Sequence, residues 1–176
     1  MEVRTEGPDE GTGSSDFDSF FRQHYPGVAR AAALVARDQG TGQDMAQEAF
    51  VRLHHRWGEL ASLDHARNFV YRVAINLARS HLRKHLRVSL FGLQRREEAN
   101  PSADPSARAT QWLAVADAMA GLSSRQRACV VLVDYVDLAP AAAGRILGIA
   151  PDTVRVHLMR GRRSLRERLA TFRSER

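Results

Sequence analysis

Cysteine is nearly missing from this chain. Cys129 stands alone, so no internal disulfide can brace the fold. Its setting in the apolar run ACVVLV predicts a buried, inert thiol. Lysine is just as scarce, with Lys84 the single example among the cations. No apolar run approaches the ~18 residues that a membrane span requires. There is no Ser/His/Asp arrangement, glycine-rich phosphate loop or Cys/His metal set, so no enzymatic activity and no cofactor are expected. His81 and His85 come nearest, at an i, i+4 spacing able to hold a metal. They lack the glutamate of a metalloprotease helix, and His81 falls on an apolar side, which predicts a core histidine. Residues 1–15 have little to bury and carry four acids against one arginine, the pattern of a disordered tail rather than a signal peptide. The expectation is a cytoplasmic protein with no membrane contact of its own.

What the chain does have is positive charge. Lys and Arg total 26 against 20 acids, a formal +6 that points to a polyanionic partner. Part of it lies in Asn68 to Arg87, NFVYRVAINLARSHLRKHLR. At about 100° per residue, Arg72, Asn76, Arg79, Arg83 and Arg87 fall within an arc of roughly 80°. Val70, Val73, Ala74, Leu77, Ala78 and His81 fill the opposite side, and Phe69 heads the basic row. Guanidiniums at one-turn spacing suit a phosphate backbone, because each fork takes two oxygens. An Asn amide can pair with a base edge, and an aromatic ring can stack on an unpaired base. An ordinary amphipathic helix with an Arg-rich polar face fits the stretch equally well.

Before it, Phe17, Phe20, Phe21 and His24 recur at helical spacing from a start near Asp16. Pro26 opens a second segment to Arg37, and DQGTG reads as a turn. Thr41 and Asp44 fit a capping box for a helix from about Gln43 to Trp57, with Asp44 also complementing the helix dipole. Ala46, Ala49, Phe50, Leu53 and Trp57 form its apolar stripe. Asp44, Gln47, Glu48, Val51 and His55 face away, giving either a solvated face or a dock for a basic partner. Residues 58–67 connect to the Arg-rich helix.

The fold class is all-α: two small helical domains joined by a flexible linker, the C-terminal one a helix-turn-helix. The expected division is a tail at 1–15, a first domain at 16–87, a linker at 88–110 and a second domain at 111–173. The linker carries Pro101 and Pro105 and has no sustained period. Periodicity returns with Trp112, Val115, Ala116 and Met119. Ser123 or Ser124 then caps a helix bearing Val130, Val131 and Val133. Leu138–Leu147 and Pro151–Arg173, separated by Gly148-Ile149-Ala150, have the order of a helix-turn-helix. In the last helix Val154, Leu158, Leu165 and Leu169 share one side. Thr153, Val156, His157, Arg160 and Ser164 share the other, flanked by Arg155, Arg163 and Arg166. DNA binding is the better reading of that face than a helix made basic for solubility.

Four stretches in this order, DMAQEAFVRL, FVYRVAINLARSHLRK, LSSRQRACVVL and LGIAPDTVRVHLMRGRRSLR, resemble the extracytoplasmic-function sigma factors of bacterial RNA polymerase. The similarity spans Asp16 to Leu169. It implies promoter recognition and DNA melting, with core RNA polymerase and promoter DNA as partners and an anti-sigma protein as a further candidate. Asp44, Gln47, Glu48 and Val51 would dock on polymerase. Phe69, Arg72, Asn76, Arg79, Arg83 and Lys84 would hold the melted element, with Asn76 reading an extruded base. Thr153, Arg155, Val156, His157, Arg160 and Arg163 would face the more distant upstream element. A self-sufficient helix-turn-helix regulator is the alternative. This sequence departs from the family in Phe69 for Trp, Ser80 for Asp, Ala150 for a Ser cap, and the uncapped helix starting at Ala139. Gly144 inside that helix costs up to ~1 kcal/mol relative to Ala, so a second domain that packs loosely or contacts its element weakly is expected.

Overall fold

The computed structural model describes residues 10–60, 62–90 and 107–174. These form seven α-helices and, among the described residues, no strand. The helices are α1 (Glu10–Ala36), α2 (Gln39–His54), α3 (Leu63–Leu90), α4 (Ala107–Ala120), α5 (Ser124–Val130), α6 (Pro140–Leu147) and α7 (Pro151–Ser174). A 3₁₀ turn, Trp57–Glu59, follows α2, and a π-helical turn, Val131–Tyr135, extends α5. Helices α1, α2 and α3 pack on one another, and α5 and α6 pack on α7. Residues 91–106 of the expected linker and 1–9 of the expected tail lie outside the described residues.

Two segments expected at the amino end are one. Helix α1 runs unbroken through Pro26 and begins at Glu10, inside the stretch assigned to the tail. Proline removes one ladder bond. Here both Pro26 and Arg22, whose carbonyl loses that bond, lie at the exposed side, where water can serve it. The aromatic face is as the spacing predicts. Phe20 is buried, and Phe17 sits edge-on to Trp57 at 5.3 Å between ring centroids.

The run DQGTG is not a turn, and Thr41 is not a cap. The Asp38 carboxylate accepts from the Thr41 amide at 2.6 Å, so Asp38 caps a helix starting at Gln39. Reversal is compressed into Arg37, whose φ is +71°. Gly42 then lies so close to α1 that a Cβ would meet Ala33 at 2.4 Å. Helix α2 ends at His54, three residues before the expected end at Trp57. The indole still reaches Phe20, 5.2 Å away, from the 3₁₀ turn. Helix α3 starts at Leu63, taking in residues assigned to the connector.

In the second half Ser123 caps α5 and Gln126 returns the bond, a complete capping box. Cys129 is fully buried, and burial pushes its thiol up to about 11. The β-branched run is helical as expected, but from Val131 it widens to i→i+5 bonds, with the Val136 amide on the Val131 carbonyl at 3.0 Å. His81 is half-buried and lies against His85 at 4.4 Å, so it is not the core residue expected.

Loose packing of the helix-turn-helix is also corrected. Ala143, Ile146, Leu147, Val154 and Leu158 are all buried. Gly148 takes φ +67°, a left-handed cap that turns the chain toward α7. Gly144 is where the turn folds back: a Cβ there would stand 2.7 Å from the Ile149 carbonyl oxygen. That oxygen is backbone and cannot swing aside. Gly144→Ala should therefore destabilise the protein by about 1–3 kcal/mol, the usual cost of overpacking, instead of the gain of up to ~1 kcal/mol at an open helix site. Urea unfolding measures the sign, and a raised midpoint would contradict the close approach.

Candidate polymerase and nucleic-acid interfaces

Helix α2 buries Ala46, Ala49, Phe50 and Leu53 against α1 and α3. That choice of face turns Asp44, Gln47, Glu48 and Val51 outward together, and all four are exposed. Val51 keeps 53% of its surface in solvent, an apolar residue in the middle of a polar face. Glu48 accepts from Arg52 Nε at 2.7 Å, one turn along. Because the helix begins at Gln39, Asp44 lies beyond the first turn and serves neither cap nor dipole. The structural reason expected for this acid is gone.

The Arg-rich face of α3 splits in two. Arg72, Arg83 and Lys84 are exposed, and Arg83 Nη2 donates to Ser80 Oγ at 3.0 Å. Asn76 and Arg79 are half-buried. Asn76 Nδ2 donates to the Ile146 carbonyl of α6 at 3.3 Å, and Asn76 Oδ1 accepts from Arg79 Nη1 at 3.4 Å. Arg79 Nε is buried with no hydrogen-bond partner. Burial holds that guanidinium below its usual range, and Arg83 and Arg125 push it the same way. Phe69 leans on the core, with the Arg56 guanidinium 5.6 Å from its ring centroid. It is half-buried instead of standing free at the head of the row.

Helix α7 is seated by Val154 and Leu158, and Gly161 lets α5 approach to within 2.8 Å of where its Cβ would be. Thr153, Arg155, Val156, Arg160 and Arg163 are then all exposed, as the spacing predicts. Arg155 pairs with Asp152, and Arg163 lies 3.9 Å from Glu167. His157 is half-buried with Nδ1 sealed off and unpartnered. Burial lowers its pKa, and Arg125 and Arg160 add to the effect. Met159, 61% exposed, stands with Val156 among the polar groups of this face.

One residue of consequence was not read from the sequence. Arg127 is 2% exposed, the only charged side chain buried among the described residues. Its Nε donates to the Met119 carbonyl at 3.1 Å, Nη2 to Leu122 and Ala120 at 3.0 and 3.5 Å, and Nη1 to Val35 at 3.2 Å. Met119 and Ala120 end α4 and Val35 ends α1, where carbonyls lack helical partners and the dipole is negative. Burial lowers the guanidinium to about 10, so it stays charged at neutral pH. Its place three residues before Val130, on the apolar side of α5, was the available signal.

Residues 20–88 match the family described as Sigma-70 region 2, and residues 112–165 match Sigma-70, region 4. The chain is 30% identical over 149 residues to the ECF RNA polymerase sigma factor SigM of Mycobacterium tuberculosis, covering 85% of this chain and 74% of that protein. It is 30% identical over 164 residues to the ECF RNA polymerase sigma factor SigE of Mycolicibacterium smegmatis, covering 90% and 63%. Among solved structures, the sigma factor RpoE from Bartonella quintana, in complex with the anti-sigma factor NepR, matches with a TM-score of 0.74 at 18% identity. The match covers 89% of this chain and 98% of that one, a likeness of fold alone. Two sigma-70 regions in this order, with 30% identity running through most of both chains, carry the assignment: the chain belongs to the ECF sigma factors of bacterial RNA polymerase.

Proposed function

We propose that the chain brings core RNA polymerase to promoters by docking through α2, opening DNA on α3 and reading upstream sequence with α7. It acts in the cytoplasm, without a cofactor. Helices α1 to α3 serve as the docking and melting domain and α4 to α7 as the upstream-reading domain, with residues 91–106 as the linker between them. The observation that carries the docking assignment is the face of Asp44, Gln47, Glu48 and Val51, acidic and exposed in a chain of net charge +6. Nothing at the helix end requires it. A self-sufficient regulator would use α7 in the same way but leaves this acidic face and the basic face of α3 with no common task.

On DNA, Arg72, Arg79, Arg83 and Lys84 set register by phosphate contact, and Asn76 and Phe69 meet the extruded base. Holding a base out of the stack costs a few kcal/mol, and stacking returns ~1–3 per base. Polymerase contacts therefore help drive opening. On α7, Thr153, Arg155, Val156, His157, Arg160 and Arg163 face the upstream element. The solved relative held by NepR supports an anti-sigma protein as a further partner.

Glu48→Lys should weaken capture of core polymerase while leaving the helical circular-dichroism signal intact, since a rim charge acts on encounter and register. Capture equal to wild type would remove the docking assignment. Arg160→Ala should cost ~1–3 kcal/mol on one upstream sequence if it makes a bidentate base contact. An equal loss on scrambled DNA makes Arg160 a phosphate contact. Asn76→Ala should change which bases are tolerated near the start site in transcription from a randomised promoter library, with little change in salt dependence. Arg83→Ala should weaken all promoters and lower the salt slope by about one contact. Identical base preferences in the Asn76 variant would mean that α3 grips DNA without reading it.

A further inference from the structure

Arginines on α2 and α7 lie against carboxylates, as Arg52 does on Glu48 and Arg162 on Asp134. At α5, which packs on both α3 and α7, a group of cations has none. The two halves of the chain are fastened by bonds to main-chain carbonyls: Arg127 Nη1 to Val35, Arg67 Nη2 to Val136 at 2.8 Å, and Asn76 Nδ2 to Ile146. With α3 so placed, Arg79 feels the like charges of Arg83 beside it and of Arg125 on α5. Arg125 acts in the same way on His157 of α7, together with Arg160. No carboxylate is among the charges acting on either group. Arg125 and Arg160 themselves have no hydrogen bond or ion pair to any described residue.

Unsatisfied donors collect in the same place. Among the described residues three buried side-chain polar atoms lack a hydrogen-bond partner: Arg79 Nε, Ser124 Oγ and His157 Nδ1. They fall one each on α3, α5 and α7, and Ser124 adjoins Arg125. All three atoms can donate, and an arginine cannot shed its charge, so what the cluster lacks is an acceptor. We propose that Arg79, Arg83, Ser124, Arg125, His157 and Arg160 form a binding site for a small anion bearing a pyrophosphate group. Four guanidiniums and an imidazole exceed what one phosphate neutralises, and each fork suits two phosphate oxygens. Arg83, Arg125 and Arg160 are exposed while Arg79 and His157 are half-buried, so the anion enters from solvent and the shielded donors turn onto it. Once bound, it supplies the missing acceptors and removes the repulsion among the cations. Arg79, Arg83, His157 and Arg160 are also placed on DNA above, whereas Ser124 and Arg125 belong to this site alone.

The test is calorimetric titration of the full chain in about 150 mM sodium chloride, where scattered surface charge is screened. The probe is inorganic pyrophosphate, with inorganic phosphate for comparison. Pyrophosphate should bind one per chain, more tightly than phosphate, and raise the thermal midpoint by mass action. Arg125→Gln should weaken it at least about tenfold, the loss of a charge-assisted contact. Arg125→Lys keeps the charge but not the fork and should fall between. Arg145→Gln removes an equal charge from an exposed position on α6 and should bind as wild type does. ATP and GTP separate the two sources of the group: binding as tight as that of pyrophosphate assigns a nucleotide, and weaker binding assigns the free anion. Absence of binding, or pyrophosphate binding no tighter than phosphate, overturns the site. Equal losses in the Arg125→Gln and Arg145→Gln proteins overturn it too, since they would report only the field of a basic chain. Neither DNA nor polymerase is present, so failure here leaves the promoter contacts of α3 and α7 standing.

Discussion

Everything in this molecule turns on a guanidinium with no carboxylate. A buried cation needs solvation, and Arg127 obtains it from the carbonyl ends of α1 and α4 together with Leu122 between α4 and α5. Hydrogen bonds to a charged group contribute about 1.5–3 kcal/mol each, and stranding a buried charge costs about 3–5 kcal/mol. The geometry therefore admits one relation among α1, α4 and α5. Arg127 does at once what two C-terminal caps would do, and it does so across the boundary between the domains. The bonds of Arg67 and Asn76 follow the same rule, a side-chain donor meeting a carbonyl near a helix end.

Around that joint the charge is distributed by task. Acid is displayed on α2, where a protein surface is the expected partner. Arginine is displayed on α3 and α7, where phosphates are the proposed partner. Arg162 departs from this pattern: it donates from Nε to Asp134 at 3.1 Å, and the bond raises its pKa. Its guanidinium ties α7 to the π-helical turn and is thereby withdrawn from the basic face that Arg160 and Arg163 keep open.

Much of this was legible in the sequence because helical periodicity records which side of a helix is apolar. On α2 Ala46, Ala49, Phe50 and Leu53 are buried where spacing puts them, and on α7 so are Val154 and Leu158, whereas Leu169, expected on the same side, is 48% exposed. The outward sets from Asp44 to Val51 and from Thr153 to Arg163 are exposed except for the half-buried His157. Capping was half legible: Ser123 was readable, but Asp38 outcompeted Thr41 because Arg37 made the reversal three residues earlier. Pro26 misled because an exposed proline in a long helix costs less than the rule for helix interiors suggests. Gly144 misled in the other direction, since only the folded turn reveals the carbonyl it must clear. The coverage of Asn76 was not readable at all, and the burial of Arg127 showed only in its place on the apolar side of α5. Each depends on a carbonyl supplied from dozens of residues away, and a periodicity argument sees one helix at a time.

The acceptors at the joint are main-chain oxygens, and every residue has one. Val136 and Ile146 receive their bonds without any demand on their own side chains. On the first-domain side, by contrast, Arg67 and Asn76 must be kept as donors, and Arg127 must be kept on α5. The outward surface of α6 and α7 is thus free to diverge while the bonds between the two halves persist. A lineage can rewrite the upstream sequence that such a factor prefers without rebuilding the contact between its two halves.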